Sequence, residues 1–325
     1  MSMLSRVAEH IYWMARYIER AENTARIINV TTNLQLDLPK AVRPGWEPLI
    51  AITGSSDIYS KLYSEHDERT VIKFLIGDTN NPGSILSSLS GARENARTIR
   101  DIIPREVWEQ VNELFLMAKT QLQSGLSQRR RYEYLKSIIL GAQQITGMLA
   151  GTMTHDFGYD FLRMARNLER ADMTTRIIDV RSANLLPYQS DTLHPFESIQ
   201  WMSVLKSLTG YQMYRRQMQT SVRSAAVLKF LFQSKEFPRS FYHSLTEVES
   251  CLKNLPRSDT LLRAVTQLQR VVSEVDTASM SPEELHHFID DLQRGLGNLH
   301  DQIRNTYFSV HETEVTTPAI QTQSA

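Results

Sequence analysis

Two segments of the chain repeat one pattern of charged residues. Positions 14–30 read MARYIERAENTARIINV, positions 164–180 read MARNLERADMTTRIIDV, and 11 of these 17 positions are identical at a constant offset of 150. Such self-similarity indicates an internal duplication. The identical positions include four charged pairs: Arg16 and Arg166, Glu19 and Glu169, Arg20 and Arg170, Arg26 and Arg176. Because surface charges usually drift, these residues are the first candidates for a functional site.

Their spacing allows an ordinary interpretation. Arg16 and Glu19 are three residues apart, and Glu22 and Arg26 are four apart, a spacing that the second copy repeats. On a helix both spacings place opposite charges side by side. A solvated face of this kind gains only about 0.2–0.5 kcal/mol per pair, which does not explain why the same charges persist in both copies.

A partly buried polar layer explains that persistence better. Glu19 and Glu169 would then orient arginines across an approximate twofold axis, and removing one member of a buried pair costs about 3–5 kcal/mol. Such a layer serves either the fold alone or a ligand, since guanidinium groups match the geometry of carboxylates and phosphates. The sequence leaves both interpretations open.

A second row of arginines lacks a counterpart. The segment Ala-Arg-Glu-Asn-Ala-Arg at 92–97, followed by Arg100, places Arg93, Arg97 and Arg100 on one side of a helix. At an offset of 156 the other half has Glu, Lys and Pro. An asymmetric row suggests a binding site used once, and a solvated helix face is the alternative.

Helices must position these residues. The chain has only 13 Gly and 11 Pro, and alternating runs of β-branched residues are absent. Apolar residues at helical spacing predict long amphipathic helices over about 3–37 and 157–185. Similar patterns predict further helices at about 104–124, 129–154, 258–276 and 281–311.

The duplication continues beyond the long helices. The segment VIKFL at 71–75 matches VLKFL at 227–231, and a Pro-x-Ser sequence follows each at the same offset of 156. Trp46 matches Trp201 at an offset of 155. Each half is therefore predicted to contain a long charged helix, a helix that begins at the matched Trp (the Trp-led helix), a short helix containing Lys-Phe-Leu (the KFL helix) and a helix that begins after Pro-x-Ser.

The fold class predicted from these patterns is all-α, a bundle of about ten to twelve helices built from two tandem repeats with approximate twofold symmetry. The first repeat is predicted to span 1–152 and the second 153–311, fused into one bundle. Residues 312–325 are polar and without periodicity, and we expect them to be a disordered tail.

Composition excludes several classes of function. The 36 basic and 36 acidic residues balance, which argues against a nucleic-acid partner. No apolar run is long enough to cross a membrane, and with a single cysteine, Cys251, the expected location is the cytoplasm. We expect no cofactor and no metal, because Glu283-x-x-His286 has no second copy on another helix. Catalytic residues are unknown, since no nucleophile lies in a recognisable pattern with a base.

The segment from Met3 to Arg26 resembles the opening of the bacterial Alpha-E family, a group named for its helices and a Glu-Arg motif. That motif matches Glu19-Arg20 and Glu169-Arg170, and the arginine segment at 92–97 is also similar to the family's. The resemblance covers about residues 3–311. In one departure, the second copy has Met173 where the first has Asn23, so any polar role of Asn23 is not shared.

The resemblance implies a context and no established activity. Members of the family tend to be encoded beside, or fused to, circularly permuted ATP-grasp proteins, and sometimes near peptidases. This implies a non-catalytic partner of an ATP-grasp ligase in peptide or amide-bond synthesis, whose arginines hold an anionic peptide or small molecule. A stand-alone enzyme with Glu19 or Glu169 as an acid/base raised in pKa by burial, or a purely structural adaptor, are the alternatives.

Overall fold

The computed structural model describes residues 5–37, 45–183 and 194–309. Within these residues the protein forms fifteen α-helices and no strand, which confirms the all-α fold class. The helices are α1 Ser5–Asp37, α2 Glu47–Ile52, α3 Ser56–Leu62, α4 Glu68–Ile76, α5 Ile85–Thr98, α6 Arg105–Thr120, α7 Leu122–Leu126, α8 Arg131–Thr152, α9 Phe157–Ala183, α10 His194–Ser207, α11 Tyr211–Met218, α12 Ser224–Gln233, α13 Phe241–Asn254, α14 Asp259–Glu274 and α15 Pro282–Ile303. A short π-helical turn, Arg304–Phe308, follows α15.

The helix count exceeds the predicted ten to twelve. The additional helices are short, such as α3, α7 and α11, which have between five and eight residues. A helix of one or two turns carries too few apolar positions to show a period of 3.6, so sequence periodicity misses it. The disordered tail predicted at 312–325 lies outside the described residues.

The two long helices, α1 and α9, pack against each other and carry the other layers. Helices α5 and α8 pack on α1, while α13 and α15 pack on α9. The apolar stripe of α1 is buried at Ile11, Met14 and Ile18, and that of α9 at Met164 and Leu168. Burying these stripes between several helices stabilises both by the hydrophobic effect and holds their polar faces in register.

Serine residues begin the helices that follow the predicted Pro-x-Ser turns. Ser84 Oγ accepts from the backbone N–H of Ser87 at the start of α5, and Ser240 Oγ accepts from that of His243 at the start of α13. Ser281 forms a capping box at the start of α15. Each cap satisfies an N–H group that the first turn leaves without a helical acceptor.

The Trp-led helix is reproduced in one half only. Trp46 is the N-cap of α2, whereas Trp201 lies inside α10, which begins at His194. The twofold symmetry of the whole molecule and the boundary between repeats at 152 stay predictions. The local correspondences between α1 and α9 described below require neither.

Candidate functional site

The two long helices exchange ion pairs through their Glu-Arg dipeptides. Arg170 donates from Nε to Glu19 Oε1 over 2.8 Å and from Nη2 to Oε2 over 3.0 Å. Arg20 donates from Nε to Glu169 Oε1 over 2.6 Å and from Nη2 to Oε2 over 3.0 Å. Both glutamates are 1% exposed. Each helix thus supplies the carboxylate that orients the other helix's arginine, in the bidentate geometry that guanidinium groups favour.

A further guanidinium group contacts each of these carboxylates, and the two copies supply it differently. Arg16 Nε donates to Glu169 Oε2 over 2.6 Å. At Glu19 the donor is Arg239, which lies in the turn before α13. Its Nη1 donates to Glu19 Oε1 over 3.0 Å. Arg166, the residue matching Arg16, keeps a buried Nε without a hydrogen-bond partner in the described part of the chain. Burial lowers the pKa of Arg166 accordingly.

Glu22 extends this cluster along α1. It is 2% exposed and accepts from Arg26 Nε over 2.8 Å and from Arg239 Nη2 over 2.7 Å. Arg239 also donates to Asn23 Oδ1 over 2.8 Å, and Arg26 reaches Thr209 Oγ1 over 2.7 Å. The residues joined in this way are called the Glu–Arg layer: Arg16, Glu19, Arg20, Glu22, Asn23, Arg26, Glu169, Arg170 and Arg239.

At the matching end of α9, Arg176 pairs with Asp172. Its Nε donates to Asp172 Oδ2 over 2.9 Å, so both predicted pairs of spacing four, this one and Glu22 with Arg26, are present. The expected pair of Arg16 with Glu19 is wrong, because Arg16 turns across to Glu169 on the other helix.

The buried glutamates are held as carboxylates. Burial alone would raise the pKa of Glu19, but the charges of Arg170 and Arg239 outweigh burial and lower that pKa to about 2. For Glu169, the charges of Arg20 and Arg16 likewise outweigh burial and lower the pKa to about 2. This direction is opposite to the raised pKa that the stand-alone enzyme hypothesis expects.

An aromatic cluster covers one side of the layer. The Tyr12 hydroxyl, which is buried, lies 2.8 Å from His300 Nδ1 and accepts from Arg16 Nη1 over 3.2 Å. The Arg16 guanidinium also lies 5.7 Å from the centre of the Trp13 ring. Burial, then the charge of Arg16, lowers the pKa of His300 to about 4, so this imidazole is neutral at pH 7.

The predicted second arginine row lies apart from the layer. Arg93 donates to Asn112 Oδ1 over 2.7 Å and to Glu94, and its guanidinium lies 5.4 Å from the Phe115 ring centre. Arg97 is 60% exposed and shares Glu94 with Arg93. None of the hydrogen bonds of Arg93 or Arg97 found in the described segments reaches the layer. Arg97 therefore lies on a solvated helix face, whereas Arg93 is half-buried between Asn112 and Phe115.

One group of side chains has the spacing for a metal ion. Asp179, His286 and Asp290 offer ligand atoms within 4.8 Å of one another, but His286 is exposed and the two aspartates are only half-buried. His286 Nδ1 hydrogen-bonds Asp179 Oδ1 over 2.6 Å, and this bond raises the pKa of His286. The predicted partner Glu283 does not belong to this group. An exposed His–Asp pair accounts for the geometry without a metal.

Arg239 is the layer residue that sequence reasoning missed. Its match at an offset of 156 is Gly83, so a large cation replaces the smallest residue in an otherwise similar turn. The asymmetry argument that selected the row at Arg93 and Arg97 would have selected Arg239 as well. Its distance of more than 200 positions from Glu19 hides the contact from any pattern along one helix.

An all-helical protein whose two central helices exchange buried Glu-Arg pairs is the class that the fold and the site define. A family model described as "a predicted alpha-helical domain with a conserved ER motif" matches residues 3–308. The chain therefore belongs to the Alpha-E family, and the reciprocal pairs give the Glu-Arg motif its physical meaning.

Curated relatives extend beyond this chain. Uncharacterised proteins of Mycobacterium bovis and Mycobacterium tuberculosis are each 26% identical to it over 340 aligned positions. The match covers 96% of this chain and 37% of each relative, so the chain spans little more than a third of their length. No solved structure matches the chain. A search of the described helices finds none long and apolar enough to cross a membrane.

Proposed function

We propose that this chain is a non-catalytic helical partner of an ATP-grasp-type ligase that makes or modifies peptide or amide bonds. One observation carries the proposal. The relatives match along nearly all of this chain but over only 37% of their own length, so in them the same fold is joined to much more polypeptide. A fold that functions beside another polypeptide when fused is suited to bind one when separate.

The chemistry of the layer supports a binding role over a catalytic one. A general acid/base needs a pKa near the working pH, and the pKa values of Glu19 and Glu169 lie near 2. Their oxygens are engaged by arginines from the opposite helix and its neighbours. We propose that the arginines at the edge of the layer hold an anionic group, a carboxylate or phosphate, of the ligase's substrate.

The proposed partner consumes ATP, so we place the complex in the cytoplasm. A purely structural adaptor is the second candidate. It is favoured because Glu19 and Glu169 are both paired with arginines of the chain itself. The two candidates differ in the anion, since an adaptor holds none and the proposed partner holds one. The titration described in the next subsection tests the anion-holding role, and the co-purification below tests the partnership itself.

Co-purification with a circularly permuted ATP-grasp protein from the same genome tests the proposal. We expect a stable complex on size-exclusion chromatography and a change in the ligase's rate of ADP release when the chain is added. An unrelated helical protein of similar size is the control. Separate elution of the two proteins, together with an unchanged rate of ADP release, would overturn the proposal.

A further inference from the structure

A cavity of about 230 Å³ opens beside the Glu–Arg layer, next to α2. Arg20, Arg176, Asp172 and Thr24 line it from the long helices, and the turns at Gly54 and Gly83 line it from the other side. Gly54 has a φ of +66°, and a Cβ there would lie 2.6 Å from Nη1 of Arg176. The turn therefore needs glycine to leave room for this guanidinium group.

The matching position in the second half is filled by the chain itself. Thr174, which matches Thr24, donates its hydroxyl to the backbone carbonyl of Arg239 over 3.0 Å. The Arg239 side chain then extends between Glu19 and Glu22 and is 9% exposed. The first half has Gly83 where the second has Arg239, so the corresponding volume remains open.

The residues that hold Arg239 also differ between the halves. Asn23, whose amide oxygen accepts from Arg239, is matched by Met173, which offers no such acceptor. Glu22 is matched by Asp172, whose shorter side chain accepts from Arg176 as Glu22 accepts from Arg26. Helix α9 thus offers the cavity fewer acceptors than α1 offers Arg239, and Gly83 supplies no internal cation.

Donors without partners line the open cavity. Thr24 is 1% exposed, and its hydroxyl is buried without a hydrogen-bond partner in the described chain, whereas that of Thr174 is satisfied. Arg176 uses its Nε for Asp172, and within the described segments its two Nη groups make no hydrogen bond. A buried hydroxyl without a partner destabilises the protein, and a hydrogen bond to a ligand oxygen would remove that cost.

The charges around the cavity set the sign of the ligand. Two guanidinium groups, those of Arg20 and Arg176, and two carboxylates, those of Glu169 and Asp172, line the cavity. Glu169 also pairs with Arg16, which lies outside the lining, so two cations share this one carboxylate. The cluster at the cavity therefore keeps one positive charge without a carboxylate of its own. An anion would neutralise that charge, and a second cation would add to it.

We propose that this cavity is a single oxyanion site, in which Arg176, Arg20 and the Thr24 hydroxyl bind a carboxylate or phosphate group. Arg239 closes the equivalent position of the other half, so the two long helices form one such site and not two within residues 5–37, 45–183 and 194–309. The inference rests on the proposed function in that it gives the anion-holding role a place. Its evidence is the local geometry, which is independent of the ligase.

Titration calorimetry of the full chain tests the site with two probes. Inorganic phosphate represents a phosphorylated group, and N-acetyl-Ala-Ala, an anion at neutral pH, represents a peptide carboxylate, with N-acetyl-Ala-Ala amide as its neutral match. We expect one equivalent of phosphate or N-acetyl-Ala-Ala to bind and the amide to produce no binding heat. Whichever probe binds more tightly identifies the source of the oxyanion.

Matched variants connect binding to the cavity. Gly83→Arg copies the cation of the other half into the cavity and should weaken binding at least about tenfold. Gly151→Arg adds the same charge at an exposed position of α8 where a side chain has open space, and should leave binding unchanged. Thr24→Val should weaken binding without lowering the melting temperature, because it removes an unpaired hydroxyl. Thr174→Val should lower the melting temperature and leave binding intact.

Two results would overturn the inference. One is the absence of binding heat with both charged probes, and the other is wild-type affinity in both Gly83→Arg and Thr24→Val. If the ligase complex forms while neither probe binds, the site is wrong and the proposed partnership stands. If a probe binds while no complex forms, the site stands and the partnership is wrong.

Discussion

At the scale of single residues, the Glu-Arg motif works because both residues of each dipeptide pair with the opposite helix and not with each other. Glu19 accepts from Arg170, and Glu169 accepts from Arg20, with all four side chains in the contact between α1 and α9. Removing one carboxylate leaves its arginines charged and buried, and an uncompensated buried charge is far more harmful than a lost surface pair.

Glu19→Gln is therefore expected to lower the free energy of unfolding by about 3–5 kcal/mol, since Arg170 loses its paired carboxylate and Arg239 keeps only Glu22. Urea denaturation followed by circular dichroism measures the change. Arg97→Gln, at a 60% exposed surface pair, is the control and should change stability by less than about 0.5 kcal/mol. Equal effects of the two substitutions would contradict a buried layer.

Sequence reasoning could place these residues on one helix face, because helical spacing determines the face. Sequence reasoning could not assign the ion-pair partner of each residue. A charge three positions away on the same helix competes with charges on other helices, and their positions depend on how α1 and α9 cross. Arg16 shows this, pairing with Glu169 and not with Glu19. Arg239 could not be found at all from one helix face, because its turn reaches the layer only after α13 packs on α9.

At the scale of helices, the packing around α1 and α9 depends on close contacts at small residues. In α8, Gly141 faces Leu114 of α6, and a Cβ at Gly141 would lie 2.6 Å from Leu114 Cδ1. Gly147, on the same helix, has open space around it. Substitution of each glycine by alanine therefore distinguishes the effect of side-chain packing from the effect of helix propensity within one helix.

Gly141→Ala is expected to destabilise the protein by about 1–3 kcal/mol, because the added methyl group pushes a buried leucine out of place. Gly147→Ala is expected to stabilise it by about 0.5–1 kcal/mol, because alanine favours the helix and meets no neighbour. Thermal unfolding of both variants measures the effects. If both substitutions raised the melting temperature, α6 and α8 would pack less tightly than described.

Most of the helices could be predicted from periodicity and caps. The predicted segments 104–124 and 129–154 correspond to α6 with α7 and to α8, and the serines at 84, 240 and 281 begin helices as expected. Short helices were missed because one or two turns carry little periodic signal. The local sequence thus indicates where the long helices lie, and tertiary packing determines the short helices and the contacts between helices.

At the scale of the whole molecule, the buried titratable groups link stability to pH. The pKa of His300 in the folded protein, about 4, lies below its ordinary 6.5, so the unfolded chain binds more protons and stability falls as pH drops from about 6.5 to about 4. The pKa values of Glu19 and Glu169, about 2, lie below the ordinary 4.5, so their contribution is lost between about pH 4.5 and 2.

We therefore expect two successive regions of acid destabilisation, measured as the urea midpoint at a series of pH values. His300→Gln should flatten the region between about pH 6.5 and 4 and leave the lower one unchanged, because glutamine does not titrate. The lower region should persist in that variant, since each buried glutamate contributes on the order of 3 kcal/mol there. If the urea midpoint of His300→Gln still falls as steeply between about pH 6.5 and 4 as in the wild type, His300 is not the source of that destabilisation.

The reciprocal pairing of α1 with α9 has a consequence for assembly. A helix face that carries Glu followed by Arg is self-complementary, because two identical copies related by a twofold axis neutralise one another. A polypeptide with only one copy of the segment would therefore hold every charge required to form an isologous dimer through it. Tandem duplication converts such a concentration-dependent contact into an intramolecular one, whose closure no longer depends on how much protein is present.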